Sequence, residues 1–311
     1  MTGTAFITHP SCLQHEMGPG HPECPDRLTA IADQLIASGL DAHVTRYEAP
    51  RASVEQVARV HDRRYIDAIE AASPASGLRY LDPDTALNPQ SVPAAFHAAG
   101  AVVHAVDLVC GGKHRNAFCA VRPPGHHAES RRAMGFCIFN SVAIGAAHAL
   151  AVHGLSRVAI VDFDVHHGNG TQDIFWSDPT VMYCSTHQMP LFPGTGASGE
   201  RGEHDTIVNA PLASEDGSAK FRAAFENLIL PQLQKFSPEL IVISAGFDAH
   251  YRDPLASLNV KAEDFGWVTR KLMDTANASA GGRVVSVLEG GYDLQGLKES
   301  VAEHVTALMA G

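Results

Sequence analysis

Short, nearly continuous apolar runs punctuate the chain at Thr4–Thr8, Ala117–Val121, Arg157–Phe163, Val181–Ser185, Glu239–Ser244 and Arg283–Leu288. Runs without polar alternation suit strands buried on both faces, as in a parallel sheet. Between them, Arg27–Ser38, Ser53–Arg59, Arg64–Ala72, Pro93–Val109, Ser141–His153, Ser218–Phe236 and Ala262–Ser279 have helical spacing, with Asp26 placed to cap the first. This alternation predicts an α/β fold in which helices flank a parallel sheet. No repeat, low-complexity tract or linker interrupts it, so residues 1–311 read as one domain.

The polar clusters fall where strands end. Asp162 to Gly170 follows one run, Ser244 to Asp248 closes another, and Glu289 to Asp293 follows a third. Parallel sheets bind ligands beyond the carboxyl ends of their strands, so the three clusters can meet at one site. Asp164 and His166, two residues apart in extended chain, project to the same side. With Asp248 they offer two carboxylates and one imidazole to a single cation and leave a coordination position open, as a catalytic metal requires. The oxygen-rich set also suits Mn²⁺ or Fe²⁺. Each aspartate alone reads more readily as a strand-end cap or turn residue. Together, on leaving a buried strand, they are costly without a cation.

Arg122-Pro123-Pro124-Gly125 sets an irregular turn before His126 and His127, either of which could move a proton. Tyr292, after Gly290-Gly291, could direct its hydroxyl at a developing oxyanion, or be a core aromatic after a turn. Phe136 and Phe192 lie in loop segments and could wall a narrow channel or simply be buried.

Composition narrows the partners. Hydrophobic residues make up 45% of the 311 residues, and the net charge is −11. No Lys/Arg run points to nucleic acid or a membrane. The six cysteines lack a Cys-x-x-Cys pair and the N-terminus lacks a signal-peptide pattern, which fits free thiols and a cytoplasmic location. A homo-oligomer stays open.

Taken together, HPECPDRL (21–28), RPPGHHA (122–128), GFCIFN (135–140), VDFDVHHGNGTQDIF (161–175), FPGTG (192–196), SAGFDAH (244–250) and LEGGYDL (288–294) resemble the histone deacetylase family, particularly its class II branch and the bacterial amidohydrolases similar to it. The resemblance implies the arginase/deacetylase fold, with a parallel sheet of about eight strands. It implies Zn²⁺ on Asp164, His166 and Asp248, and His127 as general base and then acid. It also implies His126 as electrostatic partner oriented by Asp162, and Asn169, typical of class II, orienting His127. Tyr292 then bonds the substrate carbonyl, Phe136, Phe192 and Gly290 line the acyl-lysine tunnel, and Asp84 grips substrate at the rim, with Asp82 as its rival. A structural K⁺ is implied on the carbonyls of Asp162, Asp164, His166, Ser185 and Thr186.

The expected activity is hydrolysis of an acetyl or acyl group from acetyl-lysine in a peptide or protein, or from a similar small acetylated amine. The alternatives are an acetylpolyamine amidohydrolase, an arginase-like binuclear manganese ureohydrolase and, from outside catalysis, a binding module. The loop at residues 15–24 could decide access to the site.

Overall fold

The computed structural model describes residues 3–311. In chain order its first half comprises β1 (Ala5–Thr8), α1 (Asp26–Ala37), β2 (Thr45–Glu48), α2 (Val54–Val57), α3 (Arg63–Ala72), β3 (Arg79–Tyr80), β4 (Ala86–Leu87), α4 (Ser91–Cys110), β5 (Asn116–Cys119) and α5 (Ser141–His153). The second half comprises β6 (Val158–Asp162), α6 (Asn169–Ile174), β7 (Val181–Gln188), β8 (Ile207–Leu212), α7 (Ser218–Ala224), α8 (Leu230–Phe236), β9 (Leu240–Ala245), α9 (Ala262–Ser279), β10 (Val284–Leu288) and α10 (Leu294–Ala310). Eight strands form one sheet in the order β2-β1-β5-β10-β9-β6-β7-β8, and β3 pairs with β4 in a separate small ribbon. Every pairing in the large sheet is parallel.

All residues of β5, β6, β7, β9 and β10 are buried. This is why their sequences are apolar without alternation. Each of the six expected runs holds a strand. The two strands of the large sheet that were missed, β2 (TRYE) and β8 (IVNAPL), are its edges, and the two-residue β3 and β4 of the ribbon were missed as well. An edge tolerates charged residues, and it tolerates Pro211, which cannot complete a central ladder.

Helix α5 has the expected limits. Asn140 Oδ1 accepts from Ala143 N at 3.1 Å, and Gly154 closes the helix at φ 65°. Two expectations need correction. Asp26 is not a cap: Pro25 already has helical angles, so Asp26 lies in the first turn. There its charge favours the helix N-terminus through the dipole. Ser218–Phe236 is not one regular helix, because a π turn at Phe225–Ile229 separates α7 from α8. Pro231, at the start of α8, lacks the N–H and the room that an unbroken α-helix requires. Helix α4 is long and apolar enough to cross a membrane, but 78% of its most apolar window is buried inside the fold.

Candidate active site

The strands ending in functional clusters are central neighbours in the sheet. β6 delivers Asp162 and Asp164, β9 delivers Asp248, β10 delivers Glu289 to Tyr292, and β5 leads to His126 and His127. The chain leaves β5 for β6, and β9 and β10 later fill the gap, creating the topological break where such sheets form ligand crevices.

Asp164, His166 and Asp248 each present a ligand atom within 4.8 Å of the others. His166 Nδ1 lies 3.1 Å from Asp248 Oδ2 and 3.3 Å from Asp164 Oδ1. Both carboxylates are braced by backbone: Asp164 Oδ2 accepts from Gly290 N at 2.8 Å, and Asp248 Oδ1 accepts from Val165 N at 2.8 Å. The cradle admits no side chain on its glycines. A Cβ on Gly246 would lie 2.0 Å from Asp164 Oδ2, and one on Gly290 would lie 2.2 Å from Asp248 Oδ2. Burial and the Asp164 charge push Asp248 up to about 7. Two buried carboxylates this close cannot both ionise without a cation between them. The donor set, its backbone bracing and this electrostatic demand all fit a divalent metal.

The adjacent imidazoles are polarised in opposite senses. His126 Nδ1 lies 2.9 Å from Asp162 Oδ2, which also accepts from the Tyr183 hydroxyl at 3.0 Å. Burial opposes a proton on His126, but Asp162 and Asp164 outweigh it and hold the ring well above its ordinary pKa. Burial, the neighbouring His126 cation and the positive charge placed at His166 hold His127 well below. His127 Nδ1 lies 2.8 Å from Asn169 Oδ1, while Asn169 Nδ2 donates to Glu129 Oε1 at 2.9 Å. Glu129 thus sets the amide orientation, and the amide oxygen selects the tautomer with the proton on Nδ1. His127 Nε2 is left as a lone pair. Gly135 packs against this ring so closely that a Cβ would fall 2.4 Å from His127 Cδ2.

Tyr292 is half-buried, with its N–H donating to Asp253 Oδ2 at 2.7 Å and its ring 5.0 Å from the Arg27 guanidinium. The Phe192 ring is 5.1 Å from His127, and the Phe136 ring is 5.9 Å from Tyr292. The two phenylalanines therefore flank the groups that the sequence placed in the cleft. Asp82 and Asp84 separate clearly: Asp82 Oδ1 accepts from Asp84 N and Thr85 N, closing a turn, whereas Asp84 is exposed. Thr85 Oγ1 in turn accepts from Phe136 N at 3.1 Å, so Asp84 lies beside the Phe136 loop. The Gly290 N–H, committed to Asp164, is not free for a substrate. Asp162 pairs with Ser185 across β6 and β7, and the next residue, Thr186, buries an Oγ1 with no partner among the described residues.

A buried network beneath the cleft carried no assigned role in the sequence. Glu23 pairs with Arg27 at 3.0 Å and with Arg122 through both carboxylate oxygens, all three side chains being fully buried. Arg27 also donates to the carbonyls of Gly291, at 2.7 Å, and Glu289. Glu289 Oε2 accepts from Gly125 N at 2.6 Å and His126 N at 3.1 Å. The histidine loop and the tyrosine loop are thereby fastened to one scaffold. The only signal was that these residues lie inside the motif segments.

Residues 21–308 match the histone deacetylase domain. The chain is 38% identical to the histone deacetylase-like amidohydrolase of Pseudomonas aeruginosa, over 93% of this chain and 81% of that one. It is 39% identical to the human polyamine deacetylase HDAC10, over 99% of this chain and 48% of that one. The crystal structure of the HDA15 HD domain superposes with a TM-score of 0.94 at 36% identity, over 100% of this chain and 89% of that one. The domain match, the identities and the shared fold agree, and the chain belongs to the histone deacetylase family of hydrolases.

Proposed function

We propose that the protein is a zinc-dependent amidohydrolase that removes acetyl, or a related acyl group, from acetyl-lysine or a similar acetylated amine. The observation that carries this reading is the His126–His127 pair, one imidazole cationic and the other a free base, beside an anionic three-ligand cluster. Asp164, His166 and Asp248 would hold the ion. Once bound, it supplies Lewis acidity toward the amide carbonyl and a water molecule. His127 Nε2 would accept the proton of a water attacking the carbonyl carbon. The same nitrogen returns the proton to the amine as the C–N bond breaks, releasing acetate and a free amine.

His126 keeps its proton and supplies fixed positive charge, oriented by Asp162. Tyr292 donates a hydrogen bond to the carbonyl oxygen as it gains negative charge. Phe136 and Phe192 flank the acyl chain, and Asp84 receives the cationic or backbone N–H part of the substrate. A K⁺ on the carbonyls of Asp162, Asp164, His166, Ser185 and Thr186 would stiffen the ligand loop. The unpartnered Thr186 Oγ1 supports a polar ligand there. Six free cysteines suit the cytoplasm.

An acetylpolyamine is the second substrate reading, favoured by the exposed Asp84 carboxylate at the rim. The cleft holds one three-ligand cluster among the described residues, which leaves a two-ion ureohydrolase without a second ligand set. The test compares kcat/KM for acetyl-lysine peptides, acetylpolyamines and simple acetamides, before and after chelation and zinc restoration. Turnover unaffected by chelation, or confined to guanidino substrates, would overturn the reading.

A further inference from the structure

A second cluster of metal-type ligands lies at the other end of α5. His148 Nε2 and His153 Nε2 each lie 2.8 Å from the same oxygen, Oδ1 of Asp107 on α4. The three ligand atoms are mutually within 4.8 Å. Tetrahedral zinc, with bonds of about 2.0–2.1 Å, separates its ligand atoms by about 3.3 Å, so only small shifts would admit an ion. His148 is buried, His153 partly so, and Asp107 is exposed, giving the cluster an open side toward solvent. The site is remote from the catalytic histidines: the N-cap of α5 is Asn140, whose Nδ2 donates to Ala128 O, and the 13 residues that follow span roughly 20 Å.

We propose that Asp107, His148 and His153 form a second divalent-cation site, taking a borderline ion such as Zn²⁺ or Ni²⁺ and clamping α4 to α5. Two imidazoles and one carboxylate are the donor set that such ions prefer, and they leave positions for water. Arg59 regulates the site. Its Nη1 donates to His148 Nδ1 at 2.9 Å, which places the imidazole proton on Nε2, facing Asp107. Coordination through Nε2 moves that proton to Nδ1, and Arg59 must then withdraw. His153 offers the same Nε2 atom to the ion, 2.8 Å from Asp107 Oδ1. Arg59 has no carboxylate partner among the described ion pairs, so its withdrawal breaks one hydrogen bond. Arginine and cation therefore compete for opposite sides of one ring.

The experiment is calorimetric titration of Ni²⁺ into the purified holoenzyme, with the metal of the cleft in place. With 18 histidines in the chain, only variants can locate the ion. His153→Ala and Asp107→Asn, at solvent-accessible positions, should each lose one equivalent of saturable binding relative to wild type. Arg59→Gln should bind about tenfold tighter, because an amide oxygen can accept from His148 Nδ1–H as a supporting partner does at natural metal sites. Deacetylation by the variants need not change. Equal Ni²⁺ binding by wild type and His153→Ala, or unchanged or weaker binding by Arg59→Gln, would overturn the proposal. The difference count does not depend on which ion occupies the cleft.

Discussion

Replacing Gly246 by alanine adds one methyl group to the wall of the metal cradle and removes no polar group. The new Cβ would lie 2.0 Å from Asp164 Oδ2 and 2.4 Å from Asp164 Cγ. Ordinary contact starts at 3.4 Å, so the carboxylate must retreat by about 1.4 Å. Metal–oxygen bonds of about 2.0–2.2 Å tolerate deviations of only about 0.2 Å. Rotation offers little escape, because Gly290 N holds Oδ2 at 2.8 Å and His166 N holds Oδ1 at 2.9 Å. Retreat therefore detaches one ligand and strands the Gly290 N–H.

Supporting-shell changes alone cost ~10–100-fold in metal affinity, and Gly246→Ala should lose at least that. Overpacking adds about 1–3 kcal/mol of destabilisation. Metal content after dialysis, kcat on an acetyl-lysine peptide and far-UV circular dichroism make up the assay. Gly199→Ala, with open space around its Cβ, is the control. A folded Gly246→Ala enzyme with full metal content and wild-type kcat would refute the geometry argued for the cradle.

Tyr292→Phe should lower kcat by ~10²–10³-fold with little change in KM or metal content, because an oxyanion donor acts mainly in the transition state; wild-type kcat would remove Tyr292 from the chemistry. Asn169→Asp should place negative charge on His127 Nδ1 and raise that imidazole's pKa, moving the acidic limb of the kcat/KM profile to higher pH; an unmoved limb would count against His127 as the base. Burial holds four imidazoles neutral in the fold, His61 and His187 at about 4 and His167 and His304 at about 3, against the ordinary 6.5. Their folded pKa values are depressed, so between pH 6.5 and about 4 the unfolded chain binds more protons and stability falls as pH falls. At about pH 5 each costs on the order of 2 kcal/mol, against a whole domain's stability of about 5–15 kcal/mol. The urea midpoint should therefore fall steeply from pH 6.5 to 5, and a flat profile would contradict the buried neutral assignment.

The chain's own pattern determined the class of fold and the location of the chemistry. Strands buried on both faces must be apolar throughout, so β5, β6, β7, β9 and β10 announce themselves, and Asp164, Asp248 and Tyr292 follow the ends of β6, β9 and β10. The edge strands β2 and β8 were hidden because an exposed edge imposes no apolar pattern and accepts Pro211. The break in the long helix was hidden because helical periodicity barely registers one extra residue in a turn.

Tertiary structure alone decided how identical side chains divide their work. Residue type does not distinguish His126 from His127. The first becomes a cation because Asp162, 36 positions away, lies against it. The second keeps its proton on Nδ1 and its Nε2 free because Glu129 turns Asn169 so that its oxygen faces the ring. Asp82 and Asp84 part in the same way, one consumed by a turn and the other left exposed. The Glu23–Arg27–Arg122 network was beyond reach for the same reason. Arg27 meets a carbonyl 262 residues distant, and a pairing across that separation exists only once the sheet has brought β10 beside β5.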